Sequence, residues 1–174
     1  MEKKYIITGA PGTGKTSIIN ELKKRGYECS EEISRNIIVE QLKKKGKALP
    51  WEDLSAFSLK VFNKRLSQFK NATKNKIHFF DRSIIDVIAY MRIKNLNTSS
   101  FIIKSKNIKY NKTVFHTPIW KDIYTNDNER KEDIETAIKI EKKIIRTYQE
   151  FNYNIINIPK ISIKERTDFI LSEI

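Results

Sequence analysis

A lysine and a threonine stand side by side, Lys15-Thr16, behind the glycine-rich run Gly9-Ala10-Pro11-Gly12-Thr13-Gly14. The order fits G-x-x-x-x-G-K-[ST], a pattern with a defined chemistry. Glycines let the backbone curl tightly enough for successive N–H groups to face one phosphate group. A following helix adds the positive end of its dipole. Lys15 is then placed to reach the β- and γ-phosphates, and the Thr16 hydroxyl to complete the shell of a Mg²⁺ ion. Residues Gly9 to Ser17 are thus expected to hold a nucleotide, ATP or alternatively GTP. No strand-following N/T-K-x-D stretch for guanine accompanies them.

Such a loop works only between a strand and a helix. Tyr5-Ile6-Ile7 supplies the strand, and Ile18, Ile19 and Leu22 are spaced for one buried helical face. Further along, residues 27–30, 76–80, 112–116 and 154–158 read as strands. Helices are expected over 15–25, 31–45, from Trp51 through Phe69, after Ser83, over the first half of 98–110, over 129–152 and after the capping box Ser162-x-x-Glu165. Strands alternating with helices imply an α/β fold, a parallel sheet between helical layers. The 174 residues are expected to form one domain.

An open parallel sheet binds its ligand at the carboxyl ends of the strands. After the third expected strand comes Asp81-Arg82-Ser83. Asp81 is placed to hold Mg²⁺, directly or through water, and Arg82 to meet phosphate or a structural carboxylate. Ser83 is either a ligand or the cap of the next helix, since Ser83-x-x-Asp86 resembles a capping box. After the second strand, Glu31 or Glu32 can accept a proton from an attacking hydroxyl, or can simply favour a helix start. Arg35 can bind substrate or pair with Glu32 at i,i+3. Residues 118–131 suit a lid, with Lys121, Arg130 and Lys131; Arg130 is the candidate to fork onto transferring phosphate.

His78 and His116 fall in expected strands and read as structural. Trp51 and Trp120 read as aromatic anchors, Trp120 with a second reading as a stacking surface for a base. Cys29 reads as a small core residue, and a lone cysteine fits a reducing cytoplasm. The net charge of +13 suits an anionic partner, although scattered lysines also suit a solvated surface. No run approaches the roughly 18 apolar residues of a membrane span, so a soluble, cytoplasmic protein is expected.

Taken together, GAPGTGKT, SEEISRNII, PWEDLSAF, FFDRSIIDVIAY and IYTNDNERKED resemble one family over nearly the whole chain. It is the predicted-ATPase group of P-loop, nucleoside-kinase-like proteins, which includes ribosylnicotinamide kinase domains. The more specific patterns are D-R-x-x-x-D-x-x-A-Y, over Asp81, Arg82, Asp86, Ala89 and Tyr90, and N-D-x-E-R, ending at Arg130. The resemblance implies a five-stranded parallel sheet in the order 2-3-1-4-5, the Asp81 strand beside the loop strand, and a closing lid. Glu32 matches the family's acidic position after a strand, and Arg35 the arginine after it. Where this chain has Ser83 the family often has glycine.

The expected activity is phosphoryl transfer from Mg-ATP to a small hydroxyl-bearing acceptor such as a nucleoside, nucleotide or riboside. Lys15, Glu32, Asp81, Arg82 and Arg130 are the candidate catalytic residues. Glu32, Arg35, Arg82 and Asp86 are the candidate acceptor-binding ones. Two other functions fit the same residues. One is a nucleotide-dependent switch acting through a protein partner. The other is a kinase of nucleic-acid ends.

Overall fold

A computed structural model describes residues 2–120 and 134–174. The first half runs β1 (Lys4–Thr8), α1 (Lys15–Lys24), β2 (Glu28–Ser30), α2 (Ser34–Lys43), α3 (Leu54–Asn71) and β3 (His78–Asp81). The second runs α4 (Ile84–Ile93), α5 (Ser99–Ser105), β4 (Thr113–His116), α6 (Ile134–Glu150), β5 (Asn154–Asn157) and α7 (Ile163–Ser172). All strands are parallel, in the order β2-β3-β1-β4-β5 that the resemblance implied.

β1 is central because both of its faces are apolar. Tyr5 and Ile7 point to one side with Phe79 and Phe115, and pack with Ile18, Ile19 and Leu22 of α1 and Ile170 of α7. Ile6, Phe80 and Val114 point to the other, against Phe62 of α3, Ile84 and Ile88 of α4, and Ile144 and Tyr148 of α6. The alternation is the two-residue period of a strand, here with no wet side. It fixes the register, so Ile7 lies beside Asp81 and brings the loop strand's end next to the end of β3.

Among the described residues the expected helices form, with two instructive shifts. α2 starts at Ser34 rather than at residue 31, because the Glu32 carboxylate turns back to accept from the N–H groups of Ile33 (3.0 Å) and Ser34 (2.9 Å). α3 starts after Trp51, capped by Asp53, whose carboxylate accepts from the Ala56 N–H at 2.9 Å. Trp51 itself is 68% exposed and anchors nothing, which corrects the sequence expectation. The expected lid residues Lys121, Asp127, Glu129, Arg130 and Lys131 lie outside the described residues. No described helix is long and apolar enough to cross a membrane.

Candidate active site

The phosphate loop is shaped by its glycines and propped from beneath. Gly9, Gly12 and Gly14 all have positive φ, and Gly14 is the left-handed N-cap of α1. Gly9 has no room for a side chain: a Cβ there would overlap both the hydroxyl and the carbonyl of Thr117, the residue after β4. Thr117 donates from its N–H to the Thr8 carbonyl at 2.8 Å, and its Oγ1 lies 2.6 Å from Thr13 Oγ1. The Lys15 ammonium is buried and donates to the Ala10 carbonyl at 2.7 Å and to Thr13 Oγ1 at 3.4 Å. Burial, aided by the charge of Arg82 and opposed by Asp81, Asp86 and Glu32, brings its pKa down to about 7. Thr16 stands exposed on the first turn of α1.

Asp81 ends β3 as a buried residue, and its Oδ1 has no hydrogen-bond partner among the described residues. Burial raises its pKa, with Lys15, Arg82 and Arg65 pulling the other way. A buried carboxylate oxygen without a donor is costly unless something is bound to it. The Thr16 hydroxyl and this oxygen are donor types that suit Mg²⁺. That ion characteristically takes one or two protein ligands and completes its shell with water and phosphate.

The next residue, Arg82, has φ +69 in the left-handed region, with its N–H held by the Ile7 carbonyl at 2.9 Å. A non-glycine residue kept there stores strain. Its guanidinium lies 5.3 Å from the centre of the Tyr90 ring and 3.6 Å from Asp86 Oδ1, and Nη1 is buried without a hydrogen-bond partner. Both readings of Arg82 turn on that one nitrogen: Nη1 is the atom at ion-pair distance from Asp86 Oδ1, and it makes no hydrogen bond there.

Asp86 was expected to touch substrate, but it is only 1% exposed and its oxygens are taken. It accepts from Thr8 Oγ1 (2.5 Å), from the Ser83 N–H (2.7 Å) and from the Tyr148 hydroxyl (2.5 Å). Ser83 caps α4, accepting from the Ile85 N–H at 3.0 Å, and its hydroxyl also meets that of Tyr148 at 2.7 Å. The pair forms the capping box and fastens Thr8, the entry to the phosphate loop, to α4 and α6.

One residue escaped the reading of the sequence. Arg65 of α3 is 2% exposed; its Nη1 donates to the Asp81 carbonyl at 2.6 Å and its Nη2 to Glu32 Oε1 at 2.9 Å. It joins the end of β3 to the residue beyond β2. A signal was present: Arg65 sits four residues after Val61 and three after Phe62, on the buried stripe of α3. Arg35 is exposed on the first turn of α2.

Burial would raise the Glu32 pKa, but the charges of Arg65 and Arg82 and the hydrogen bonds from Ser34 outweigh it and hold the carboxyl down to about 2. A carboxylate with a depressed folded-state pKa stabilises the protein above its unfolded value, and that contribution is lost as the pH falls toward the folded value. Glu32→Gln should therefore destabilise by up to about 3 kcal/mol near neutrality. The gap from the parent protein should close as the pH falls from 4.5 toward 2. Urea unfolding across that range measures it; a gap independent of pH would mean Glu32 is not held in this way.

His78 and His116 are tied into the sheet. His78 Nε2 lies 2.8 Å from Ser30 Oγ, and His116 Nδ1 lies 2.8 Å from Asn157 Oδ1. Cys29 is half-buried, its thiol pushed up to about 12 by burial, which suits packing rather than nucleophilic chemistry.

Strand order, phosphate loop and the residues following β2 and β3 together define a P-loop α/β domain with the fold of nucleoside and nucleotide kinases. The chain belongs to an AAA-domain family, which it matches over residues 4–166. Among solved structures it is similar to deoxyadenosine kinase from M. mycoides with the products dCMP and a flexible dCDP bound. That match has 18% identity and a TM-score of 0.71, over 98% of this chain and 97% of that one. The NadR protein in complex with NR aligns at 14% identity and TM-score 0.73, over 98% of this chain but 51% of that one. Thymidylate kinase from Ehrlichia chaffeensis aligns at 16% identity and TM-score 0.65, over 98% and 97%. At these identities the likeness is one of fold. No curated protein matches the chain in sequence.

Proposed function

We propose that this protein is a Mg-ATP-dependent phosphotransferase acting on a small hydroxyl-bearing acceptor, namely a nucleoside, a nucleotide or a related riboside. The observation that carries it is a convergence at the ends of three neighbouring strands. Lys15 in its loop, Asp81 with an orphaned oxygen, and Glu32 gripped by Arg65 belong to segments far apart in sequence, yet their charges act on one another. A domain that only held nucleotide would not need a carboxylate kept ionised beside the metal position. The structures it resembles in fold, a deoxyadenosine kinase, a thymidylate kinase and NadR in complex with NR, support this acceptor class.

In this reading the phosphates of ATP lie in the amide nest of residues 9–17, with Lys15 on the β- and γ-phosphates. Thr16 and Asp81 would hold Mg²⁺, which neutralises charge on those phosphates. Glu32 accepts a hydrogen bond from the acceptor hydroxyl. As the oxygen–phosphorus bond forms and the bond to ADP breaks, Glu32 takes the proton. So acidic a carboxyl is a weak base, which suffices where the transition state is loose and positioning does most of the work. Arg82 turns its Nη1, ion-paired with Asp86 but not hydrogen-bonded, to the charge on the transferring group, and Arg35 faces the acceptor from α2. Asp86 acts indirectly, by fastening Thr8 below the loop. Arg130 remains our candidate for closing over the phosphates.

A γ-phosphate transfer screen over nucleosides, nucleotides, vitamin ribosides and oligonucleotides tests this, with Lys15→Ala protein as blank. Transfer to at least one small acceptor, absent from the blank, is expected. ATP binding with no transfer to any acceptor would overturn the reading in favour of a switch. Transfer confined to oligonucleotides would overturn the assignment of the acceptor.

A further inference from the structure

Arg166 of α7 contacts the phosphate loop from 153 positions away, and nothing in the loop motif points to it. Its side chain is 3% exposed. Nη2 donates to the Thr13 carbonyl at 3.1 Å, and Nε is buried without a hydrogen-bond partner. The acidic neighbours of Arg166 on α7 are turned elsewhere: Glu165 closes the capping box with Ser162, and Asp168 pairs with Arg25. Among the described residues no carboxylate forms an ion pair with Arg166. A desolvated guanidinium with neither a counter-charge nor a full set of acceptors costs stability. Its place beneath the loop suggests what offsets that cost.

The peptide between Thr13 and Gly14 is trans, as are all those described. Carbonyl and N–H of a planar trans peptide point in opposite directions. The group that holds the Thr13 carbonyl therefore aims the Gly14 N–H the other way. Thr13 is fixed at its side chain too, since Oγ1 donates to the Ala10 carbonyl at 3.0 Å and meets Thr117 Oγ1. A charged donor on the carbonyl also polarises the peptide and strengthens its N–H as a donor.

We propose that Arg166 is a positioning residue for the phosphate nest: from α7 it holds the Thr13 carbonyl so that the Gly14 N–H is aimed at, and polarised toward, the phosphate chain of the nucleotide. This rests on the nucleotide-binding part of the function proposed above. Calorimetry of Mg-ATP, Mg-tripolyphosphate and adenosine, on the wild-type protein, Arg166→Met and Arg166→Gln, tests it. Arg166→Met should weaken Mg-ATP and Mg-tripolyphosphate alike, by about tenfold. It should leave adenosine binding and the acceptor KM unchanged. Arg166→Gln, whose amide can still donate to the carbonyl, should recover part of the loss. The Gly14 amide resonance of the free protein should move in Arg166→Met and less in Arg166→Gln.

A lowered melting temperature with unchanged phosphate affinity would make Arg166 merely structural and overturn the proposal. Should Arg166→Met not fold, Arg166→Gln decides the same question against wild type by its phosphate affinity and Gly14 resonance. Wild-type protein that binds neither Mg-ATP nor tripolyphosphate would overturn the nucleotide-binding reading itself, and this proposal with it. Wild-type binding that both variants retain in full overturns this proposal alone.

Discussion

Lys15→Ala should give a folded protein whose kcat/KM for phosphoryl transfer is lowered by at least about a hundredfold. The argument is one of charge placement. The ammonium is buried inside its own loop, where its partners are a carbonyl and a hydroxyl rather than a carboxylate. Burial makes the folded protein hold this charge at a desolvation cost, which brings its pKa down to about 7. A triphosphate supplies the counter-charge, so the cation acts mainly in the complex and in the transition state. Replacing it should therefore remove function and leave thermal stability equal or higher. Nucleotide calorimetry and a melting curve on the same sample check both halves. Wild-type affinity and turnover in Lys15→Ala would refute the assignment of the loop.

The second large effect is expected at Arg65. Substitution by Met keeps the bulk on α3 but removes the Asp81 carbonyl's guanidinium donor and leaves the Glu32 carboxylate only its backbone donors. Breaking a buried pair from one side costs about 3–5 kcal/mol, because a desolvated charge is left behind. For a chain of this size that corresponds to a fall in melting temperature of roughly 10 °C. The Glu32 pKa should rise from about 2, since burial then opposes ionisation with only Arg82 and the backbone donors against it. The acid limb of the activity profile should move upward with it. Arg65→Lys keeps the charge but offers no planar fork for two acceptors, so it should rescue part of the stability and little of the geometry. A loss of stability below about 1 kcal/mol in Arg65→Met would mean that the pair is effectively solvated.

What could be read from the chain beforehand divides along physical lines. The phosphate loop, the apolar strands and the capping boxes at Ser83 and Ser162 are local devices, whose residues lie within a few positions of one another. The strand order came with the family resemblance, and the observed sheet agrees with it. The links between distant elements were harder to see. Arg65 is one of several cationic residues on α3, and only the packing of that helix places it between Glu32 and Asp81. Asp86 lies in the same pattern as Asp81, but only the fold shows Thr8 and Tyr148 filling its oxygens. Glu32 was noticed, yet only the fold shows one of its oxygens shared by the Ser34 N–H, which delays α2, and by Arg65 from α3.

The props beneath the loop bear on how the protein is made. Residues 9–16 leave the ribosome before Thr117, which follows β4, and before Arg166 of α7, the helix that docks on α1. A nascent chain paused before α7 carries the whole motif without the hydrogen bond from Arg166 to the Thr13 carbonyl. The stabilising effect of ATP on the folded chain should therefore arrive in one step, once α7 has docked.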